Sequence, residues 1–329
     1  MGRYIADQNK LGFFYESGTY AVSSGTMQWI GQVQDHTLDE STGVIPVRYL
    51  GGGDRNVDQF VDGPQDYTGT ISYFPQDWKF LWFTLGSAVD AGSPSPYTHT
   101  LSELNSGVLN GTTSGTLCPF LSFGLEDSKT VSATGQNFNR TVQGAMINTF
   151  TLNGTQGEIL SAEIAYTAQN VAFSSGAASA VTAATTRPFL WRDCTLQIPS
   201  GTSYSTMKDF SLTINNNLES PHYLNGSVVI APSIPLNRDY ELTVTLDLQS
   251  TEVKTLWDQY FIGGSTFNTM MTVNASTGSR DAFFVMSGCK LMDMEAPSPM
   301  EGVNETTLTI QPKNMIVNVN DTIFRYKPW

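Results

Sequence analysis

Apolar and polar residues alternate with a period of two in many short runs along the chain, the signature of half-buried strands. From Asp239 onward, Tyr240, Leu242, Val244, Leu246 and Leu248 alternate with Glu241, Thr243, Thr245, Asp247 and Gln249. The segment Asp66-Tyr67-Thr68-Gly69-Thr70-Ile71-Ser72-Tyr73 has the same character about 173 positions earlier. After each run the period lengthens to i, i+3, i+4 and i+7: Trp78, Leu81, Trp82 and Leu85 in one place, Val253, Leu256, Trp257 and Tyr260 in the other. That spacing predicts two short helices of about three turns, with the named residues as their core-facing stripes. Ser250 stands where it would cap the second helix, and Gly86 and Gly263 follow the last apolar turns as helix-ending signals.

The likeness between the two regions continues downstream. Gly144-Ala145-Met146-Ile147 matches Gly288-Cys289-Lys290-Leu291, and Ala162, Ile164 and Tyr166 match Thr306, Leu308 and Ile310, at an offset near 144. Strand, helix, hairpin and final strand recur in one order, which weighs against the alternative, a chance resemblance of two β-rich halves. The fall in offset places about 31 extra residues in the first copy, beginning near Ser87. Because Gly92-Ser93-Pro94-Ser95-Pro96, Gly107, Gly111 and Gly115 fall there, residues 87–117 are expected to form a long loop or extended arm. Residues 171–186, with Ser174-Ser175-Gly176-Ala177-Ala178-Ser179-Ala180, suit a linker. The expectation is a mainly β chain of two tandem modules, residues 1–186 and 187–329, each with a short flanking helix.

Composition narrows the function classes. With 329 residues, 40% apolar and 11% aromatic, the chain can build sizeable cores, while only 14% charged residues amid abundant Ser, Thr, Asn and Gly fits strands and turns more than a helical enzyme. Thirty acidic against 17 basic residues give a formal charge of −13, so most of the surface should repel phosphate backbones. Any role with DNA is then a non-adhesive one. No apolar run is long enough to span a bilayer, and Met1 to Asp7 lacks the apolar stretch of a signal peptide. Ala6 stands where a myristoylation pattern needs Ser or Thr. Three widely spaced cysteines, Cys118, Cys194 and Cys289, point to buried or idle thiols and not to a disulfide framework.

Candidate chemistry is sparse. His36, His99 and His222 lack metal-ligand spacing, and Gly51-Gly52-Gly53-Asp54-Arg55 has no Lys-Ser/Thr after it to cradle phosphate. Asp54, Asp58, Asp62 and Asp66 lack the loop pattern of a calcium site and read as a solvated acidic segment. Sequons at Asn110, Asn139, Asn153, Asn225, Asn274, Asn304 and Asn320 arise readily by chance in such a composition. No hydrolase elbow or metalloprotease motif occurs, so no catalytic, cofactor or metal residue is assigned and an enzyme is not expected.

One stretch carries a family resemblance. Phe210-Ser211-Leu212-Thr213-Ile214-Asn215-Asn216-Asn217-Leu218-Glu219, then Tyr223-Leu224 and a strand-helix unit, resembles the tail tube proteins of phages and related archaeal tailed viruses. Gly12 to Ala21, Tyr67 to Ser87 and Tyr97-Thr98-His99-Thr100 are similar to further pieces of that family, so the resemblance spans most of the chain. It implies a β-sandwich or barrel module with a flanking helix, whose inner sheets join around a ring that stacks into a tube. Two modules per chain would make a pseudo-sixfold ring from a trimer. A duplex must pass such a channel without sticking, which predicts a lumen rich in Asp, Glu, Ser, Thr and Asn. The resemblance further implies self-association, contacts with a tape-measure protein and with tail-completion or baseplate proteins, no membrane, assembly in the host cytoplasm and a place in the virion tail. Contacts between rings are expected from Ser87, Pro94, Pro96, Tyr97, Leu109 and Leu117 on the arm, from residues 1–20, and from Tyr326 and Trp329 in the C-terminal tail. The rival readings are a carbohydrate-binding or adhesive β-sandwich using Trp78, Trp82 and Trp257 as stacking platforms, and another virion component such as a capsid, decoration or tail-completion protein.

Overall fold

The structure is a computed structural model that describes residues 9–16, 20–21, 24–48, 56–92, 95–104, 122–130, 137–204, 206–223, 232–247, 252–275, 280–295 and 304–326. The first half runs β1 (Lys10–Tyr15), β2 (Ser24–Gln28), β3 (Gln32–Ser41), β4 (Ile45–Val47), β5 (Gln59–Val61), β6 (Asp66–Phe74), α1 (Lys79–Leu85), β7 (Gly86–Ala91), β8 (Tyr97–Glu103), β9 (Ser122–Thr130), β10 (Asn137–Thr155), β11 (Ser161–Ala168) and β12 (Asn170–Ser174). After a single helical turn at Trp191–Asp193 follow β13 (Cys194–Gln197), β14 (Ser203–Tyr204), β15 (Met207–Asn215), β16 (Leu218–Glu219), β17 (Ile234–Pro235) and β18 (Asp239–Asp247). Next come α2 (Glu252–Thr255), continuing into π-helical turns over Leu256–Ile262, β19 (Phe267–Ala275), β20 (Arg280–Glu295), β21 (Glu305–Gln311) and β22 (Asn314–Asp321). The chain is mainly β, in keeping with a β-sandwich.

Alternation sets the layers. In β6, Tyr67, Gly69, Ile71 and Tyr73 are buried while Asp66, Thr68, Thr70 and Ser72 turn outward, and β18 repeats that pattern with Tyr240, Leu242, Val244 and Leu246 inward. Antiparallel pairings join eight strands into one sheet in the order β3-β6-β11-β10-β15-β18-β21-β20. A second layer holds β2-β1-β9-β10-β12 in one half and β14-β13-β19-β20-β22-β8-β7 in the other. Apolar side chains from both layers form a single buried cluster.

The long strands β10 and β20 take part in both layers. Each changes layer at a glycine with positive φ, Gly144 at 66° and Gly288 at 62°. Only glycine takes up that backbone without strain, and both positions coincide with breaks in ladder register.

Residue pairings in the two halves correspond one to one. Met146 faces Thr167 as Lys290 faces Gln311, Val142 faces Val171 as Met286 faces Met315, and Phe123 faces Ala145 as Phe267 faces Cys289, each residue shifted by 144 positions. Ser41 opposite Asp66 likewise corresponds to Asn215 opposite Asp239.

The sequence expectations need several corrections here. Residues 86–91 and 97–103 are not loop but the paired strands β7 and β8, and β8 pairs in turn with β22, extending the second layer of the other half, while residues 105–117 lie outside the described residues. Residues 170–174 within the expected linker are a strand paired to β10. Beyond them residues 175–186 carry no regular structure and are mostly exposed, with the Gln76 side-chain amide donating to the Ala184 carbonyl. Finally, α1 has seven residues, about two turns, and the second helix widens into π turns. Gly86 does end α1 in the left-handed conformation (φ 98°), whereas Gly263 stays helical and the positive φ falls on Gly264. Ser250 lies outside the described residues.

Candidate assembly face and free strand edges

The eight-stranded sheet has one face against the core and one face bare, and the bare face is mainly polar, with Ala165 and Met292 as apolar exceptions. Asp35, Thr37, Asp39 and Ser41 of β3 lie beside Asp66, Thr68, Thr70 and Ser72 of β6. Ser161, Glu163 and Ala165 of β11 lie opposite Asn153, Thr151 and Thr149 of β10, with Thr167 and Thr155 further along the two strands. Across the middle stand Asp209, Ser211, Thr213 and Asn215 of β15, then Glu241, Thr243, Thr245 and Asp247 of β18 and Glu305, Thr307 and Thr309 of β21. Asp293 and Glu295 of β20 complete the array. Beside it Lys208, at a bulge in β15, lies 2.7 Å from Asp247 and 2.6 Å from Glu305, which raise its pKa and neutralise it locally. Carboxylates and hydroxyls, with Lys208 held by two of those carboxylates, offer a phosphate backbone little to hold.

Two shallow hollows dent this face at equivalent places. One is lined by Thr37, Asp39, Thr68, Asn148 and Thr167, the other by Thr213, Glu241, Met292, Thr309 and Gln311. Both sit at bulges, one between Ile147 and Thr149 and one between Leu291 and Asp293. A bulge bends its strand and sharpens the local twist, which gives the sheet its curvature there.

The sheet ends in two unpaired edges among the described residues: β3 at one side, paired only to β6, and residues 290–295 of β20 at the other, paired only to β21. An open edge presents a row of backbone donors and acceptors that a further strand can satisfy.

The chain matches the family model described as "Phage tail tube protein" over residues 10–320. It belongs to the phage tail tube protein family. No curated protein matches the chain. Membership carries a structural role in the tail tube, a place in the virion tail, self-association into a tube and contact with other tail proteins. The family is generally non-enzymatic.

Within this tail tube protein, Trp78, Leu81, Trp82, Leu85, Leu256 and Tyr260 are buried. Trp257 is 39% exposed, with the Phe261 ring 5.0 Å away, in the segment where the helix widens into π turns and leaves the stripe the sequence predicted. The side chain of Val253 lies outside the described residues. Burial of Trp78 and Trp82 removes two of the three aromatic platforms that a glycan-binding reading needs.

The expected contacts between rings scatter. Ser87, Pro96 and Tyr97 lie on the β7–β8 hairpin. Pro94, Leu109, Leu117 and Trp329 lie outside the described residues. Tyr326 is fully buried, its hydroxyl donating to Asp321 at 2.6 Å, so it is not a surface anchor.

The histidines are structural. The Nε2 of His36 meets the Tyr166 hydroxyl at 2.8 Å, and burial lowers its pKa in spite of Asp127 nearby. His222 bonds Asp66 at 2.9 Å. His99 is fully buried, with Nδ1 2.7 Å from Asp90 and Nε2 2.9 Å from the Ile323 carbonyl and 3.2 Å from Asp321. Burial alone would lower its pKa; the two carboxylates outweigh that and raise it. No group of residues fit to hold a metal occurs among the described residues, and burial pushes the Cys194 thiol up to about 12. A cavity of about 400 Å³ under residues 180–186, lined by Trp29, Gln76, Asp77, Trp78 and Arg280, mixes both charge signs. The sequence showed the polar positions of each strand but not that eight strands share them on one face.

Proposed function

We propose that copies of this protein close side by side into rings, that the polar face of the eight-stranded sheet lines the bore, and that stacked rings form the conduit through which viral DNA leaves the particle. The observation that carries this is the sheet itself: one face built on a core, the other carboxylate- and hydroxyl-rich, with an open strand at each end. The strand pair β10–β15 supports ring closure, since it occupies within one chain the place that β20 and β3 leave open at its ends. Matching pairings in the two halves favour tandem modules, residues 1–186 and 187–329, and hence a pseudo-sixfold trimer. Rings that stack head to tail make an open filament. The β7–β8 hairpin interrupts only one half and carries Ser87, Pro96 and Tyr97 toward a neighbouring ring. A tape-measure protein inside the bore, completion or baseplate proteins at its ends, and assembly in the host cytoplasm complete the proposal.

Electron microscopy of the purified protein tests it. Hollow tubes or stacked annuli whose end-on averages show threefold order are the expected result. Closed shells, or monomers that persist at high concentration, would refute it.

A further inference from the structure

The repeated pairings fix a register for the seam between copies, an inference that rests on the ring-closure reading above. Within one chain, β10 meets β15 with Thr149 opposite Asn215, Phe150 opposite Ile214 and Thr151 opposite Thr213. Moving the β10 residues forward by the 144 positions that relate Met146 to Lys290 lands on Asp293, Met294 and Glu295. Moving the β15 residues back by the 174 positions that relate Asn215 to Ser41 lands on Ser41, Glu40 and Asp39. The bulges coincide under the same shifts, between Ile147 and Thr149 as between Leu291 and Asp293, and between Met207 and Asp209 as between Val33 and Asp35. We propose that β3 of one copy pairs antiparallel with β20 of the next, with Ser41 opposite Asp293, Glu40 opposite Met294 and Asp39 opposite Glu295.

This seam differs chemically from its internal counterpart. Inside the chain the Thr151 and Thr213 hydroxyls lie 3.4 Å apart and bond to each other. Between copies, two carboxylates take their places, and like charges directly opposite weaken a strand pair. Glu40 has Arg140 3.4 Å away, but no ion pair reaches Asp39 or Glu295 among the described residues. The internal ladder also runs on through Asn153 and Thr155, whereas the sequence after Glu295 brings Pro297 and Pro299, which have no N–H to give. The seam between copies is therefore short and self-repelling, and it closes more readily as salt screens the paired acids.

Cysteine pairs in the full-length chain test the register. With Asp39→Cys and Glu295→Cys together, mild oxidation of assembled protein should give chains linked covalently end to end on a non-reducing gel. Asp39→Cys with Asp293→Cys should give none, because that diagonal exceeds disulfide reach. Tubes that cross-link through the second pair and not the first would overturn the register while leaving the tube reading intact. If the unaltered protein forms neither rings nor tubes, both fall.

A second measurement reads the charge. Glu295→Gln should raise ring assembly at about 20 mM salt by up to about fivefold per seam over Glu163→Gln, the same change on an inner strand of the same face. The difference should vanish by about 300 mM. Equal behaviour of the two variants at low salt would refute the acid-against-acid seam.

Discussion

Replacing His99 with Gln probes the buried clasp between the inserted hairpin and the C-terminal segment. The imidazole lies flat on the Tyr326 ring, centroids 4.1 Å apart, between Asp90 of β7 and Asp321 at the end of β22. Acceptors stand at both ring nitrogens, and only the imidazolium donates from both at once. Glutamine keeps one donor and loses the charge, leaving carboxylates that are 18% and 5% exposed without their cation. Removing one member of a buried ion pair costs about 3 kcal/mol or more, a fall of roughly 4 °C in Tm for a chain of this length. Because the folded-state pKa of His99 lies above its unfolded value, its contribution is complete below about pH 6.5 and is lost as pH rises through the folded pKa. Thermal melts of unassembled wild type and variant at about pH 6 and about pH 9 should therefore show a large gap at the lower pH and a smaller one at the higher. An equal gap at both would refute a charged clasp.

Two further outcomes follow from packing and from charge. Leu152, fully buried opposite Leu212 where the two halves meet, should cost about 2–5 kcal/mol as Leu152→Ala, read as a lower urea midpoint; a loss under about 0.5 kcal/mol would show that the halves are held elsewhere. Glu241→Lys on the polar face should make assembled tubes retain duplex DNA on a filter at low salt and release it at high salt, whereas unaltered tubes should retain none; retention by the unaltered protein would contradict a non-adhesive bore.

Local rules were the legible part of this sequence. Alternation located β6 and β18, the apolar spacing located α1, and Gly86 marked its end, because each depends on residues close together in the chain. Long-range pairing was not legible: nothing in the β10 or β15 segments alone says that Leu152 meets Leu212. The same gap hid the common polar face, since period two shows two faces per strand but not which ones neighbours share. Gly- and Pro-rich sequence around residues 92–96 read as an arm, yet the strands β7 and β8 flank it, and β8 is fixed by β22 from more than 200 positions away. Tyr326 looked like a surface anchor because the partners that bury it, His99 and Asp321, come from β8 and β22.

The glycine-hinged strands couple the two sheets mechanically. Since β10 and β20 run unbroken from one layer to the other, neither layer can slip its register without dragging the other, and a slip of one residue would turn every side chain of the strand to the wrong side. A pull on the wall of the assembly is then spread over ladders in both layers at once, which suits a thin shell that must hold its shape under load.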